Sequence, residues 1–463
     1  MKSSRRRLIQ LGTAALALGS LPARVWAKSF GYPRLLQGPM LGASGPTSVT
    51  IWGRASGALP VSVQYSTTRE MLDARVTPAV HASAENDFTA VIRIADLKPD
   101  TTYWYRVLVD GELDRYRTQP SSAKTAPSQS QNFRVAFGSC ARLARDPEQR
   151  IFRIVEAQSP DLFFWLGDNV YADAESTFAF ADEYRRQRSV LSLQNVIRRI
   201  PQLAIWDDHD FGYNNSDGSF PFKDQSLTAF KQYWPNPAYG EPGNPGVYFE
   251  YSYAGIDFFF LDGRYHRTPN ATPDGPSKKF LGDLQTNWLK QRLLASRAPF
   301  KVLACGSGWS MADGPQGDTW AAFKTARDDL FDFIRDRRIG GVVCLSGDSH
   351  VGELNCIPCS ERGGYDIYDL VSSPLAQSCD MSWVTQSPEV RMRPVYAGGA
   401  NVGMLDFVSG ANPTLTFSLF NEWGDMAWKP LTLTPADLQN GVSSWRTKID
   451  EKELAKREKR SAS

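Results

Sequence analysis

The sequence predicts a layered α/β (α+β) domain placed behind a small antiparallel β-sandwich, and three observations carry that expectation. From Val49 to Thr118 short runs alternate apolar and polar residues between turn residues, the mark of a half-buried antiparallel sheet. Beyond residue 133 the alternation gives way to continuous apolar runs interleaved with helical periodicity, as expected of strands covered on both faces. Between the two, Gln119 to Asn132 is rich in Pro, Ser and Gln with almost no apolar side chain, which reads as a linker and puts a boundary near residue 125.

The runs Ser48 to Trp52, Val61 to Tyr65, Phe88 to Ile94 and Tyr103 to Val109 supply the expected strands of the sandwich. None of its residues suggests chemistry, and His81 reads as a surface or turn residue. In the second domain a helix is expected from Pro147 to Ala157, with Asp146 as its cap and Ile151, Ile154 and Val155 on one face. Another is expected from Leu281 to Ser296, burying Leu281, Leu284, Trp288 and Leu289. A third ends at Gly340 and Gly341 and buries Leu330, Phe333 and Ile334. The ranges that follow are 28–120 for the sandwich, 121–132 for the linker, 133–435 for the layered domain and 436–463 for a charged tail, solvated beyond Asp450.

At 463 residues two domains are the default. A composition of 42% hydrophobic and 22% charged residues is that of an ordinary globular protein. The 52 basic and 50 acidic residues nearly cancel, so no global field favours nucleic acid or an anionic membrane. Ser4, Arg5, Arg6, Arg7, Leu8 and Ile9 precede a mildly apolar, Ala- and Gly-rich stretch and a small-residue context at Val25, Trp26 and Ala27. Residues 1–27 therefore read as a twin-arginine signal peptide, with the mature chain starting near Lys28. Nothing later approaches the roughly 20 apolar residues of a membrane span. The expectation is a periplasmic or secreted protein that uses the twin-arginine translocation machinery. Six cysteines are few for this length, and the lone CxxC of Cys356 and Cys359, with Cys379 beyond, lacks partners for a zinc site. A disulfide or free thiols are both open there.

Five buried runs stop abruptly in chemically capable residues. Arg134 to Phe137 leads into Gly138-Ser139-Cys140, Leu162 to Leu166 into Gly167-Asp168-Asn169-Val170-Tyr171, and Leu203 to Trp206 into Asp207-Asp208-His209-Asp210. Ile256 to Leu261 leads into Asp262-Gly263-Arg264, and Val342 to Leu345 into Ser346-Gly347-Asp348-Ser349-His350. Ligands of layered α/β proteins bind at the carboxyl ends of strands, so these ends should converge. Several carboxylates in one crevice repel unless a cation neutralises them, which makes a metal centre the simplest resolution. Oxygen-rich ligands favour hard cations, whereas a thiolate with a phenolate suits iron.

These five motifs, in this order, resemble those of the alkaline phosphatase D (PhoD-like) family of calcineurin-like metallophosphoesterases, and Leu97 to Val107 resembles a fibronectin type III signature. The resemblance implies a four-layer αββα sandwich and a mixed site of Fe3+ and Ca2+, with Mg2+ or Mn2+ as alternatives in the non-iron positions. It implies Cys140 and Tyr171 as iron ligands, Asp168 as the bridging carboxylate and Asp208 on the second metal. His350 would complete the set, with Asp348 as a further ligand. His209 would steady the phosphoryl group or protonate the leaving oxygen, and Arg264 would be a substrate or support residue. Asp207, Asp210, Asn214 and Asn215 offer more acceptors than one metal needs. Trp309 is open between pocket and core. The implied activity is hydrolysis of phosphomonoesters by metal-activated water, with phosphodiesters such as lipids or teichoic-acid-like polymers as the alternative. A non-catalytic binding module is the remote one.

Overall fold

A computed structural model describes residues 32–115, 117–311 and 314–461. The leader read at residues 1–27 lies outside them.

The N-terminal sandwich pairs a sheet of Leu35–Gly45, Ser48–Ala55 and Thr89–Ile94 with a second sheet built on Pro60–Ser66 and Thr102–Val109. Inward residues such as Leu41, Ile51, Val61, Val63, Ile92 and Tyr105 form its own core, as period-2 alternation requires. Ser121–Lys124, inside the stretch read as linker, pairs antiparallel with Thr102–Val109, so the sandwich runs to Lys124. Its short polar side chains are tolerated because ladder hydrogen bonds hold an edge strand without a large apolar face.

The larger domain consists of two six-stranded sheets. One has the order Gln202–Ile205, Leu162–Leu166, Phe133–Gly138, Asn401–Val408, Thr414–Asn421, Leu431–Leu433, and its first three strands are parallel. The other has the order Phe249–Tyr253, Ile256–Phe260, Lys301–Ala304, Val342–Ser346, Ile367–Val371, Glu353–Ile357, with its four central strands parallel. Alternate side chains divide the work. Phe164 meets Phe258 and Phe260 of the facing sheet at 5.0 and 4.9 Å between ring centroids, whereas Phe163 and Trp165 point outward onto Phe152 of the helix Ile151–Gln158. On the opposite outer face Phe259 packs on Trp288 of the helix Gly282–Ala295. The result is a four-layer αββα sandwich.

Details depart from the sequence reading where polar side chains are buried. The first helix begins at Ile151, not Pro147. Asp146 caps a turn through the N–H groups of Glu148 and Gln149, and Gln149, with φ 46°, breaks the helical run to pair its amide with Gln187. In Gly282–Ala295 the buried face holds Gln285, Trp288, Leu289 and Leu293, while Leu284 is 62% exposed. Gln285 is inside because its amide accepts from Asp262 N–H and donates to Asp262 C=O. The third helix spans Lys324–Asp336 and buries Arg327, Leu330, Phe331 and Ile334, with Phe333 only partly covered. The chain from 436 to 450, read as part of a charged tail, belongs to the larger domain: Leu438 and Trp445 are in the main core. Charge does dominate the last helix, Glu451–Ser461. All six cysteines are free thiols.

The sandwich docks on the larger domain through specific polar contacts. Asp87 accepts from Arg54 of its own domain and from Arg185 and Tyr233 of the other. Trp52 Nε1 donates to Gln232 C=O at 2.7 Å, and Tyr105 Oη to Arg198 C=O at 2.8 Å.

Candidate metal centre

The parallel strands of both sheets end at the same edge, and their following loops are hydrogen-bonded to one another. Cys140 N donates to Gly167 C=O at 3.2 Å, Gly347 N to Gly306 C=O at 2.8 Å, and Asp348 N to Ser139 Oγ at 3.2 Å. Glycine is demanded at two of these crossings. A Cβ on Gly167, whose φ is 92°, would lie 2.5 Å from Asp207 Cβ, and one on Gly306 would lie 2.6 Å from Asp207 Cγ. Cys140, Asp168, Asp348 and His350 all adopt positive φ, at 59, 50, 67 and 53°. Left-handed backbone at non-glycine residues is strained and persists where the surroundings enforce it, commonly at functional sites.

The strand ends bring together three overlapping groups of potential metal ligands. They are Cys140, Asp168 and His350; Asp168, Asp208 and His209; and Asp207, Asp208 and Asp348, with ligand atoms in each group within 4.8 Å of one another. Asp168 is shared by the first two and Asp208 by the last two. Tyr171 joins the first group through its Oη, 3.0 Å from His350 Nε2, and its ring packs on His209 at 4.2 Å.

Electrostatics sets these groups against one another. Burial, then Asp208 and the other neighbouring carboxylates, push Asp168 well above the carboxylate range, and the same causes act on Asp348. Burial, then Asp168 and Asp348, raise the Cys140 thiol, and burial, then Cys140 and Asp168, raise the Tyr171 phenol. Burial lowers His350 to about 4. Asp208 is the exception. Burial would raise it, but Arg264, His209 and the Asn215 N–H hold it at about 2. A cation would relieve the repulsion and permit thiolate and phenolate, so the donor set fits metal ions.

Other expected residues have different work. Arg264 is fully buried and saturated: it donates to Asp207 Oδ1 at 2.6 Å, to Asp318, to Ser307 Oγ and to Ser216 C=O. It is a support for the carboxylates, with no donor left for substrate. Asp210 accepts N–H bonds from Asp207, Asn169 and Val170 and pins two strand ends together. Asn214 and Asn215 are exposed, and only the Asn215 N–H reaches Asp208, at 2.6 Å. His266 bonds Pro245 C=O at 2.8 Å, outside the ligand groups. Trp309 is core, stacked on Trp320 at 4.4 Å.

Three residues were not anticipated. Asp173 Oδ1 lies 2.6 Å from His209 Nδ1, and its place two residues beyond Tyr171 was the one available signal. Asp318 binds both Arg264 and Arg267, and nothing local in the sequence announces it. Arg142 lies over the Tyr171 ring, 5.1 Å from its centroid.

The profile of the PhoD-like phosphatase family matches residues 135–391, a stretch that holds every residue of the three ligand groups. The chain belongs to the PhoD-like phosphatase family. The profile of that family's N-terminal domain matches residues 20–127. Alkaline phosphatase D of Bacillus subtilis (strain 168) is 24% identical over 334 residues, covering 61% of this chain and 54% of that protein, so the chain aligns with about half the length of this curated relative. Among solved structures, one of PhoD superposes with a TM-score of 0.72 at 18% identity, over 92% of this chain and 98% of the other. The purple acid phosphatase PPD1 from yellow lupin (Lupinus luteus) seeds gives 0.63 at 14% identity, over 87% and 74%. These likenesses show a shared fold.

Proposed function

We propose that this PhoD-like chain is an exported, metal-dependent alkaline phosphatase that hydrolyses phosphomonoesters. The observation that carries the reading is the chain of three ligand groups linked through Asp168 and Asp208, since ions held side by side suit in-line phosphoryl transfer to water. Cys140, Tyr171 and His350, with Asp168, would hold iron as Fe3+; Asp208 and Asp348 would hold Ca2+, with Mg2+ or Mn2+ as substitutes. Bound there, the ions would supply an acidified water and neutralise the phosphate charge.

The protein's own residues do the rest. Arg264 holds Asp207 and shields Asp208, which keeps the Asp208 carboxylate ionised and aimed. Asp173 fixes the His209 ring through Nδ1 and leaves Nε2 to pass a proton to the leaving alcohol. Export rests on the twin-arginine pattern of residues 4–9; no helix among the described residues is long and apolar enough to cross a membrane.

The test is hydrolysis of an aryl phosphate monoester and its diester counterpart at alkaline pH by the mature protein and by Asp168→Asn, with metal content measured on both. The reading expects monoester preference, iron in the wild type, a visible absorption band from phenolate or thiolate on Fe3+, and loss of all three in the variant. A diester preference would reassign the substrate. Absence of activity after iron and calcium are supplied would overturn the reading.

A further inference from the structure

Beside the candidate metal centre lies a cavity of about 190 Å³ lined by Arg142, Leu143, Tyr171, Glu183, Arg186 and Gln187, among others. Of the residues expected to hold metal, Tyr171 alone contributes to its wall, so the cavity meets the ligand groups at the Tyr171 ring. Its charges are uneven. Arg186 faces Glu183 at 3.0 Å and Asp182 at 3.2 Å, so that local acid is already matched. Arg142 is the surplus cation: its side chain is exposed, and its guanidinium leans on the Tyr171 ring.

The position of Arg142 is built. Its N–H donates to Ala376 C=O at 2.9 Å, and its C=O accepts from Arg145 and Asp146 N–H at 3.0 and 3.1 Å. The preceding residues 140 and 141 are bound to the strand-end loop at 167 and 168. The Arg142 backbone therefore keeps a fixed relation to the ligand groups, and its side chain lines the cavity. Arg186 is reachable as well, with its side chain 60% exposed, and joins this cavity to a larger groove that also holds Arg153 and Arg185.

Building on the phosphatase reading above, we infer that the Arg142–Tyr171–Arg186 cavity is a subsite for a second anionic group of the substrate, a carboxylate or non-scissile phosphate borne by the leaving group. A guanidinium offers forked donors matched to such groups, and Tyr171 separates the second anion from the first. The enzyme would then discriminate in favour of esters whose leaving group carries its own anionic group over plain alkyl or aryl esters.

The test is calorimetric binding of two non-hydrolysable probes, propylphosphonate and 3-phosphonopropionate, to the full metal-loaded chain, which needs no turnover. The wild type should bind the carboxylate-bearing probe more tightly by about ten- to hundredfold. Arg142→Ala should abolish that preference while binding propylphosphonate as before, and Arg142→Lys should restore part of it. Equal or undetectable binding of the two probes by the wild type, or a preference that survives in Arg142→Ala, overturns the subsite. Hydrolysis of a simple aryl phosphate by the wild type is scored separately, so a failed subsite and a failed phosphatase reading give different results.

Discussion

Asp173 Oδ1 lies 2.6 Å from His209 Nδ1, and the pair couples the loop after Tyr171 to the residue proposed to protonate the leaving group. Burial opposes charge on His209, but the Asp173 bond, with the Asp208 field, carries its pKa above the ordinary value. An acid that must be protonated loses activity as pH rises through its pKa. Asp173→Asn should therefore move the alkaline limb of the kcat profile to lower pH. It should also slow alkyl phosphates by about ten- to hundredfold and aryl phosphates, whose leaving groups need little help, much less. An unshifted limb would remove His209 from the acid role.

Arg264 is a structural cation, and its loss should show in stability before chemistry. Arg264→Met would strand Asp207 and Asp318 in the interior, at a cost of about 3–5 kcal/mol. Denaturant unfolding of the metal-free protein measures this. A fully stable variant with raised KM alone would restore a substrate-contact role.

Asp168 and Asp208 should behave oppositely in the metal-free protein at neutral pH. Asp168 is held above the usual carboxylate range by burial and repulsion, so Asp168→Asn should relieve strain and leave stability equal or higher. It should still cut turnover at least about hundredfold by disrupting metal binding. Asp208, held at about 2, contributes stability present above its unfolded value and lost as pH falls through 2. Asp208→Asn should cost on the order of 2 kcal/mol at pH 7. Melting curves of both variants with and without metal decide the matter.

His350 predicts acid sensitivity. Its folded pKa is lowered to about 4 from an ordinary 6.5, so between those values the unfolded chain binds the extra proton and stability falls as pH falls. The loss should reach on the order of 3 kcal/mol by pH 4 in metal-free protein. His350→Asn should flatten that part of the Tm profile; an unchanged slope would assign the lability elsewhere.

The sequence by itself determined the layered fold and where the candidate ligands gather. A strand buried on both faces must be apolar throughout, as in Leu162–Leu166 and Val342–Ser346, and polar residues clustered where such runs stop can only lie at a sheet edge. Hence the convergence of Cys140, Asp168, Asp208 and His350 was legible in the sequence. Periodicity counted apolar residues and so misjudged helices that bury a polar one: Gln285 is inside and Leu284 outside because Gln285 bonds Asp262. It also took residues 436–450 for a charged tail, although Leu438 and Trp445 close the main core. Tertiary structure alone decided what holds each carboxylate in place. Asp207 is taken by Arg264, Asp210 by backbone N–H groups, and Arg264 itself by Asp318, 54 residues away in the chain. Such pairings are made through space between loops from different strands, and no local pattern records them.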